Sequence, residues 1–201
     1  MAGWHITGNM DIYRDDMAKT SGGVRTLKAG SKNYNARRKE FWALMGSGKY
    51  SDGYFSDMGG GYYLVEKSEQ SRNEVEHEAA QILADNGYKV ILIDEAGSNI
   101  TVDGTIFSFT YEQRTPYHNT PKENVPEGKG GTPSNIRTAL SHARNKGADY
   151  AVIYMKHDKH TRKSVESGIR AYEALETTTH RFKKILIITK DGRIYRHVHN
   201  K

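Results

Sequence analysis

Apolar residues are unevenly spread along the 201-residue chain: most long apolar runs lie after Gly61. Tyr62–Val65 predicts a short strand. Val75, Ala79, Ile82 and Leu83 recur at helical spacing, so a helix is expected from a Ser71 or Asn73 cap to about Asn86, with Gly87 ending it. Val90–Ile93, Tyr150–Met155 and Lys184–Thr189 are continuous apolar runs, which predict strands buried on both faces. Thr105–Arg114 alternates, with Ile106 on one parity and Phe107, Phe109 and Tyr111 on the other, as in a half-buried strand. Ser134 is expected to cap a helix over about Asn135–Lys146, ended by Gly147, and a third helix is expected over about Thr161–Glu176. Asp191-Gly192 turns into a last strand, Arg193–Val198. Strands alternate with helices, so the expected class is α/β (α+β), a mixed central sheet flanked by helices.

Residues 1–60 are rich in Gly, Ser, Asp, Asn, Lys and Tyr. They are expected to form an irregular N-terminal extension or linker before a domain over 61–201, with Gly59-Gly60-Gly61 as a hinge. Within them Asn35–Leu44 fits a short helix carrying Phe41, Trp42 and Leu44. The trimmed end of a larger protein, or an extra packed layer, are the alternatives. Residues 115–131 hold three of the four prolines and predict a long loop.

Composition narrows the chemistry. There is no cysteine, which excludes disulfides, thiolate-bound zinc and a thiol nucleophile. No basic stretch followed by an apolar run opens the sequence, and no apolar stretch approaches the ~20 residues that cross a bilayer, so a soluble protein with no membrane partner is expected. The net charge of +6 favours polyanions, through phosphate neutralisation and counterion release. Metal-assisted phosphodiester cleavage needs converging carboxylates and a cation beside the phosphate. Asp103 before one strand, with Glu112 and Arg114 two apart on the next, offers that layout; Glu112 and Arg114 should share a face and Gln113 point away. Glu78, or Glu74 one turn earlier, adds an acid from the helix, though both also suit a solvated helix surface. Arg137, Arg144, Lys146, Lys156 and Arg181 are candidates for phosphate contacts. His157, His160, His197 and His199 offer a metal-independent route, with a histidine as general base. Gly46-Ser47-Gly48-Lys49 lacks the spacing of a phosphate-binding loop.

The order of elements resembles a known family. Glu78–Val90 (EAAQILADNGYKV), Val102-Asp103-Gly104, Glu112-Gln113-Arg114, Gly131–Leu140 (GTPSNIRTAL), Gly147–Met155 (GADYAVIYM) and His180–Ile185 (HRFKKI) carry the likeness, over about two thirds of the chain. They resemble the C-terminal tRNA-nuclease domain of contact-dependent growth-inhibition toxins. Related domains occur in phage minor head proteins, and the group is similar to PD-(D/E)XK nucleases. The resemblance implies a restriction-endonuclease-like fold and a metal-dependent nuclease cutting RNA, tRNA among its substrates. Glu78, Asp103 and Glu112 would hold Mg²⁺ or another divalent metal, and Arg114 would face the phosphate. It implies a cognate immunity protein and a toxin- or phage-associated role, with action in the cytoplasm of a target cell or association with a virion. Two positions depart: Val102 stands where the family has Pro, and Arg114 where it has Lys. Arginine keeps its proton where lysine can titrate, so a non-catalytic nucleic-acid-binding module on the same fold is the competing implication. An alternative register, with Ser108 and Thr110 at the acid and base positions, also implies an inactive site.

Overall fold

The computed structural model describes residues 6–7, 11–12, 26–67, 73–94, 102–117, 124, 133–157, 162–175 and 182–197. The expectations placed on Ser71, His160, Arg181, His199 and most of the 115–131 loop lie outside these residues. Among the described residues eight strands form a mixed sheet and four helices accompany it. The chain divides into two compact units, Asp15–Thr110 and Tyr111–Lys201 together with Met1–Arg14. Strands β1 (Ile6–Thr7) and β2 (Asp11–Ile12) pair with each other, antiparallel.

The first unit contains helix α1 (Lys32–Gly46), strands β3 (Tyr50–Phe55) and β4 (Tyr62–Glu66), helix α2 (Glu74–Asp85), and strands β5 (Lys89–Leu92) and β6 (Gly104–Ile106). β3 pairs antiparallel with β4, β4 parallel with β5, and β5 antiparallel with β6. Asn73 caps α2 by accepting from the Val75 amide, and Gly87 follows the helix at φ +87°. Val75, Ala79 and Leu83 of α2 are buried, as the helical spacing required. Tyr62, Tyr63 and Tyr88 are likewise core residues.

Ordered structure begins well before Gly61. Ser31 caps α1, and buried Phe41 packs with Tyr50, Tyr62 and Leu64. Arg37 donates to the carbonyls of Gly87 (2.9 Å) and Gly60 (3.3 Å), which ties α1 to the chain that leaves α2. The three glycines are not a hinge. A Cβ on Gly61 would stand 2.3 Å from the Ala84 carbonyl oxygen, and one on Gly59 would stand 2.1 Å from that of Asp85. Glycine is needed here because two backbones meet.

One expected strand is two. Thr105–Arg114 is broken by a turn at Phe107, whose φ is +56°, and resumes as β7 (Phe109–Arg114). A left-handed residue reverses the chain, so Ile106 and Tyr111 are both buried despite their opposite parity. Ser108 falls in this turn and is exposed.

The second unit builds on β7, helix α3 (Pro133–Asn145), β8 (Tyr150–Met155), helix α4 (Arg162–Leu175), β9 (Lys184–Thr189) and β10 (Ile194–His197). β7, β8 and β9 run parallel in that order, and β10 pairs antiparallel with β9. α3 begins at Pro133, so Ser134 is its second residue rather than its cap; a proline suits a first helical position because its missing N–H has no partner there. Gly147 (φ +69°) follows α3, and Gly192 (φ +79°) turns β9 into β10. Ile136, Leu140, Val165, Ile169 and Tyr172 from the helices bury against Ile153, Ile185, Ile187 and Tyr195 from the strands.

Candidate active site

Parallel strands joined by helices end at one edge of the sheet, and crevices outside their carboxyl ends are where such folds bind ligands. β7 ends at Arg114, and the residues after it, Thr115, Pro116 and Tyr117, line a cavity of about 490 Å³ with Asn135, Thr138, Ala139 and His142 of α3. The α3 positions follow helical spacing, so one face of that helix forms the wall. Tyr117 takes a left-handed backbone, φ +59°, and its carbonyl accepts from His157 Nε2 at 2.9 Å. His157 therefore holds the chain that bounds the cavity.

Glu112 lies two residues before Arg114 on the same face of β7, while Gln113 is buried and donates to Thr115. The Glu112 carboxylate is 1% exposed and is surrounded by bases. Arg114 Nη2 is 3.2 Å from Oε1, His142 Nε2 is 3.1 Å from Oε1, and Lys146 Nζ is 3.0 Å from Oε2. His142 and Lys146 are four apart on α3, which brings both down onto the strand. Arg114 Nη2 also touches His142 Nε2. The lowered pKa of His142 keeps the imidazole neutral near pH 7, so Nε2 can accept from the guanidinium, which only donates. The approach of His142 to Glu112 is then not an ion pair; the guanidinium lies against both.

Burial lowers the His142 pKa from its ordinary 6.5, and the nearby Arg114 and Lys146 charges lower it further. With His142 neutral, two cations face one carboxylate, leaving one positive charge at the cavity mouth. Below pH 6.5 the unfolded chain binds a proton here more readily than the folded one. The stabilisation is thus complete above 6.5 and is lost as pH falls through the lowered value. His142→Leu is expected to shrink the drop in melting temperature between about pH 7.5 and pH 5. Thermal melts at the two pH values measure it; an unchanged drop would remove the assigned state of His142.

The sequence-predicted residues divide between the units. Glu112, Arg114 and Lys146 come together in one. Asp103, 6% exposed, and the partly buried Glu78 belong to the other, as does exposed Glu74. The Asp103 carbonyl accepts from the Ile93 amide at 3.1 Å. Arg137 is exposed on α3, Arg144 bonds its neighbour Asn145, and Lys156 follows β8. His197 contacts Glu173 at 2.9 Å, a link from β10 to α4. Sequence reasoning missed His142; the signal was its spacing of four from Lys146 on a helix whose other face is apolar.

The divalent metal implied by the resemblance does not fit the shell around Glu112. One carboxylate there meets two cations and an imidazole, and a further cation would have to displace them. Among the described residues no group of three or more His, Asp or Glu is placed to hold a metal ion. No described helix is long and apolar enough to cross a membrane.

One solved structure is similar. It is a CdiA-CT/CdiI toxin and immunity complex from Burkholderia pseudomallei, 21% identical, with a TM-score of 0.44 over 67% of this chain and 98% of that one. No family model and no curated protein matches the sequence.

Proposed function

We propose that the chain is an RNA-cleaving nuclease whose reaction site is the Glu112–Arg114–His142–Lys146 cluster. The observation that supports this reading is a neutral histidine held with two cations around one buried carboxylate, at the mouth of a cavity. A volume of about 490 Å³ falls in the ~300–1,000 Å³ typical of sites for small ligands. A phosphodiester would enter with its charged oxygens on Arg114 and Lys146. The guanidinium then leaves His142 Nε2, and the freed lone pair takes the proton of an adjacent ribose 2′-hydroxyl. The O2′–phosphorus bond forms, the phosphorus–O5′ bond breaks, water protonates O5′, and the hydroxide so formed takes the proton back from His142. Arg114 and Lys146 stabilise the charge that develops on phosphorus. Glu112 positions all three bases.

This route needs a 2′-hydroxyl, so it selects RNA over DNA. Purified protein is expected to cut total RNA in excess EDTA, leave plasmid DNA intact and yield 2′,3′-cyclic phosphate ends; His142→Ala should lose about 100-fold or more of the rate. Cleavage that EDTA abolishes, and that Asp103→Ala abolishes with it, would replace this site by the metal-dependent one built on Asp103, Glu112 and Glu78. A toxin role with a cognate immunity protein is compatible with either chemistry. It predicts growth arrest on expression, relieved by a co-expressed inhibitor protein.

A further inference from the structure

The outward face of α1 carries an exposed tryptophan beside unpaired positive charge. Trp42 is 60% exposed, although it neighbours Phe41, which is 3% exposed and anchors the helix. Arg38 and Lys39 lie four and three residues before Trp42, so they share its face. Both are exposed, and neither forms an ion pair among the described residues. The one acid of α1, Glu40, points elsewhere: its Oε1 accepts from Lys89 Nζ at 2.8 Å and Tyr62 OH at 3.1 Å. Arg37 faces inward onto the Gly87 and Gly60 carbonyls. The helix is therefore fixed in place, with Trp42 held against Phe41 at 5.0 Å and 70° between their rings.

We propose that Trp42, Arg38 and Lys39 form a stacking platform for single-stranded nucleic acid. An unpaired base would lie on the indole while the two cations neutralise the flanking phosphates. Two features favour nucleic acid over a protein partner. The patch is positive with no acid of its own left unpaired, and its one large apolar group is a flat aromatic ring rather than an aliphatic cluster. The proposal rests on the RNA reading for its ligand class, but it uses residues that play no part in the chemistry.

The chain has two tryptophans, Trp4 and Trp42, so Trp4→Phe leaves Trp42 as the reporter. A 12-nucleotide oligouridylate is expected to quench its fluorescence on binding. Trp42→Ala should weaken binding roughly 5- to 150-fold, the range for one base stacked on an aromatic ring, and Trp42→Phe should recover part of it. Arg38→Ala with Lys39→Ala should reduce the slope of log affinity against log salt by about 1.4 on a single strand. Inorganic polyphosphate, which has charge but no base, should bind the Trp42→Ala protein as well as it binds the parent. Oligouridylate affinity within about twofold of the parent in Trp42→Ala overturns the platform, as does equal loss of polyphosphate binding. Circular dichroism checks that the variants fold. Binding is read on a Glu112→Ala background, so an intact platform without RNA cleavage by the parent indicts the nuclease reading alone. Cleavage by the parent without stacking indicts the platform alone.

Discussion

Replacing Glu112 by Ala is expected to remove RNA cleavage almost entirely, by about 100- to 1,000-fold, because a preorganised electrostatic site loses the group that arranges it. The carboxylate is the point where Arg114, His142 and Lys146 meet, at 3.0–3.2 Å. Without it the two cations repel each other and swing into water, and the imidazole loses the partner that holds its neighbour. Folding should suffer less. Breaking a buried pair costs about 3–5 kcal/mol when a charge is stranded in the interior. Here the Arg114 and Lys146 side chains are 44% and 24% exposed, so solvent recovers the first charge largely and the second in part, and the cost should lie below that range. Glu112→Gln keeps the volume and should show the same loss of rate with a smaller change in melting temperature. Initial rates on a labelled RNA, with melts of the same samples, separate the two effects. A Glu112→Ala enzyme working within about threefold of the parent would end the assignment of the site.

Arg114 sharpens the same test. At the position where the resembled family has lysine, arginine touches both Glu112 and His142, which one ammonium on a flexible stem reproduces poorly. Arg114→Lys is therefore expected to slow cleavage by about tenfold rather than restore a better enzyme. At this site burial first, and the fixed charges of Arg114 and Lys146 after it, hold the His142 pKa down.

Much of the fold is written in local pattern. Tyr150–Met155 and Lys184–Thr189 are buried almost throughout, as their unbroken apolar runs required, whereas β5 buries Val90 and Leu92 fully and Ile91 in part; α2 shows its core stripe directly. β3 was illegible for the opposite reason. Its Ser51, Asp52 and Gly53 carry no apolar alternation, and pairing with β4 makes the strand. Phe107 hides a turn because nothing in a phenylalanine announces a left-handed backbone. At the site, the Glu112–Arg114 pairing followed from strand periodicity. His142 did not, since it lies 28 residues beyond Arg114 and meets it only when α3 packs back on the sheet.

Gly61→Ala is expected to be strongly destabilising. The added carbon would stand 2.3 Å from the Ala84 oxygen, 2.4 Å from the Tyr88 oxygen and 2.8 Å from the Gly87 carbonyl carbon, all of them backbone. None can rotate away as a side-chain tip can. The surrounding bonds fix the approach: Ser56 N–H donates to the Gly61 carbonyl at 2.8 Å, and Tyr62 N–H donates to that of Tyr88 at 3.0 Å. Relief requires β4 to move from the end of α2, which would separate Tyr62 and Leu64 from the core they share with Phe41. The cost should exceed about 3 kcal/mol, in the range where single substitutions lower a domain's melting temperature by roughly 10 °C or unfold it. Gly46→Ala, at the end of α1 with nothing within 4 Å, is the matched control and should be neutral or stabilise by up to about 1 kcal/mol. Parallel thermal melts of the two variants decide the matter. If Gly61→Ala melts with the parent, the close backbone contact is absent in solution, and the triple glycine regains its reading as a hinge.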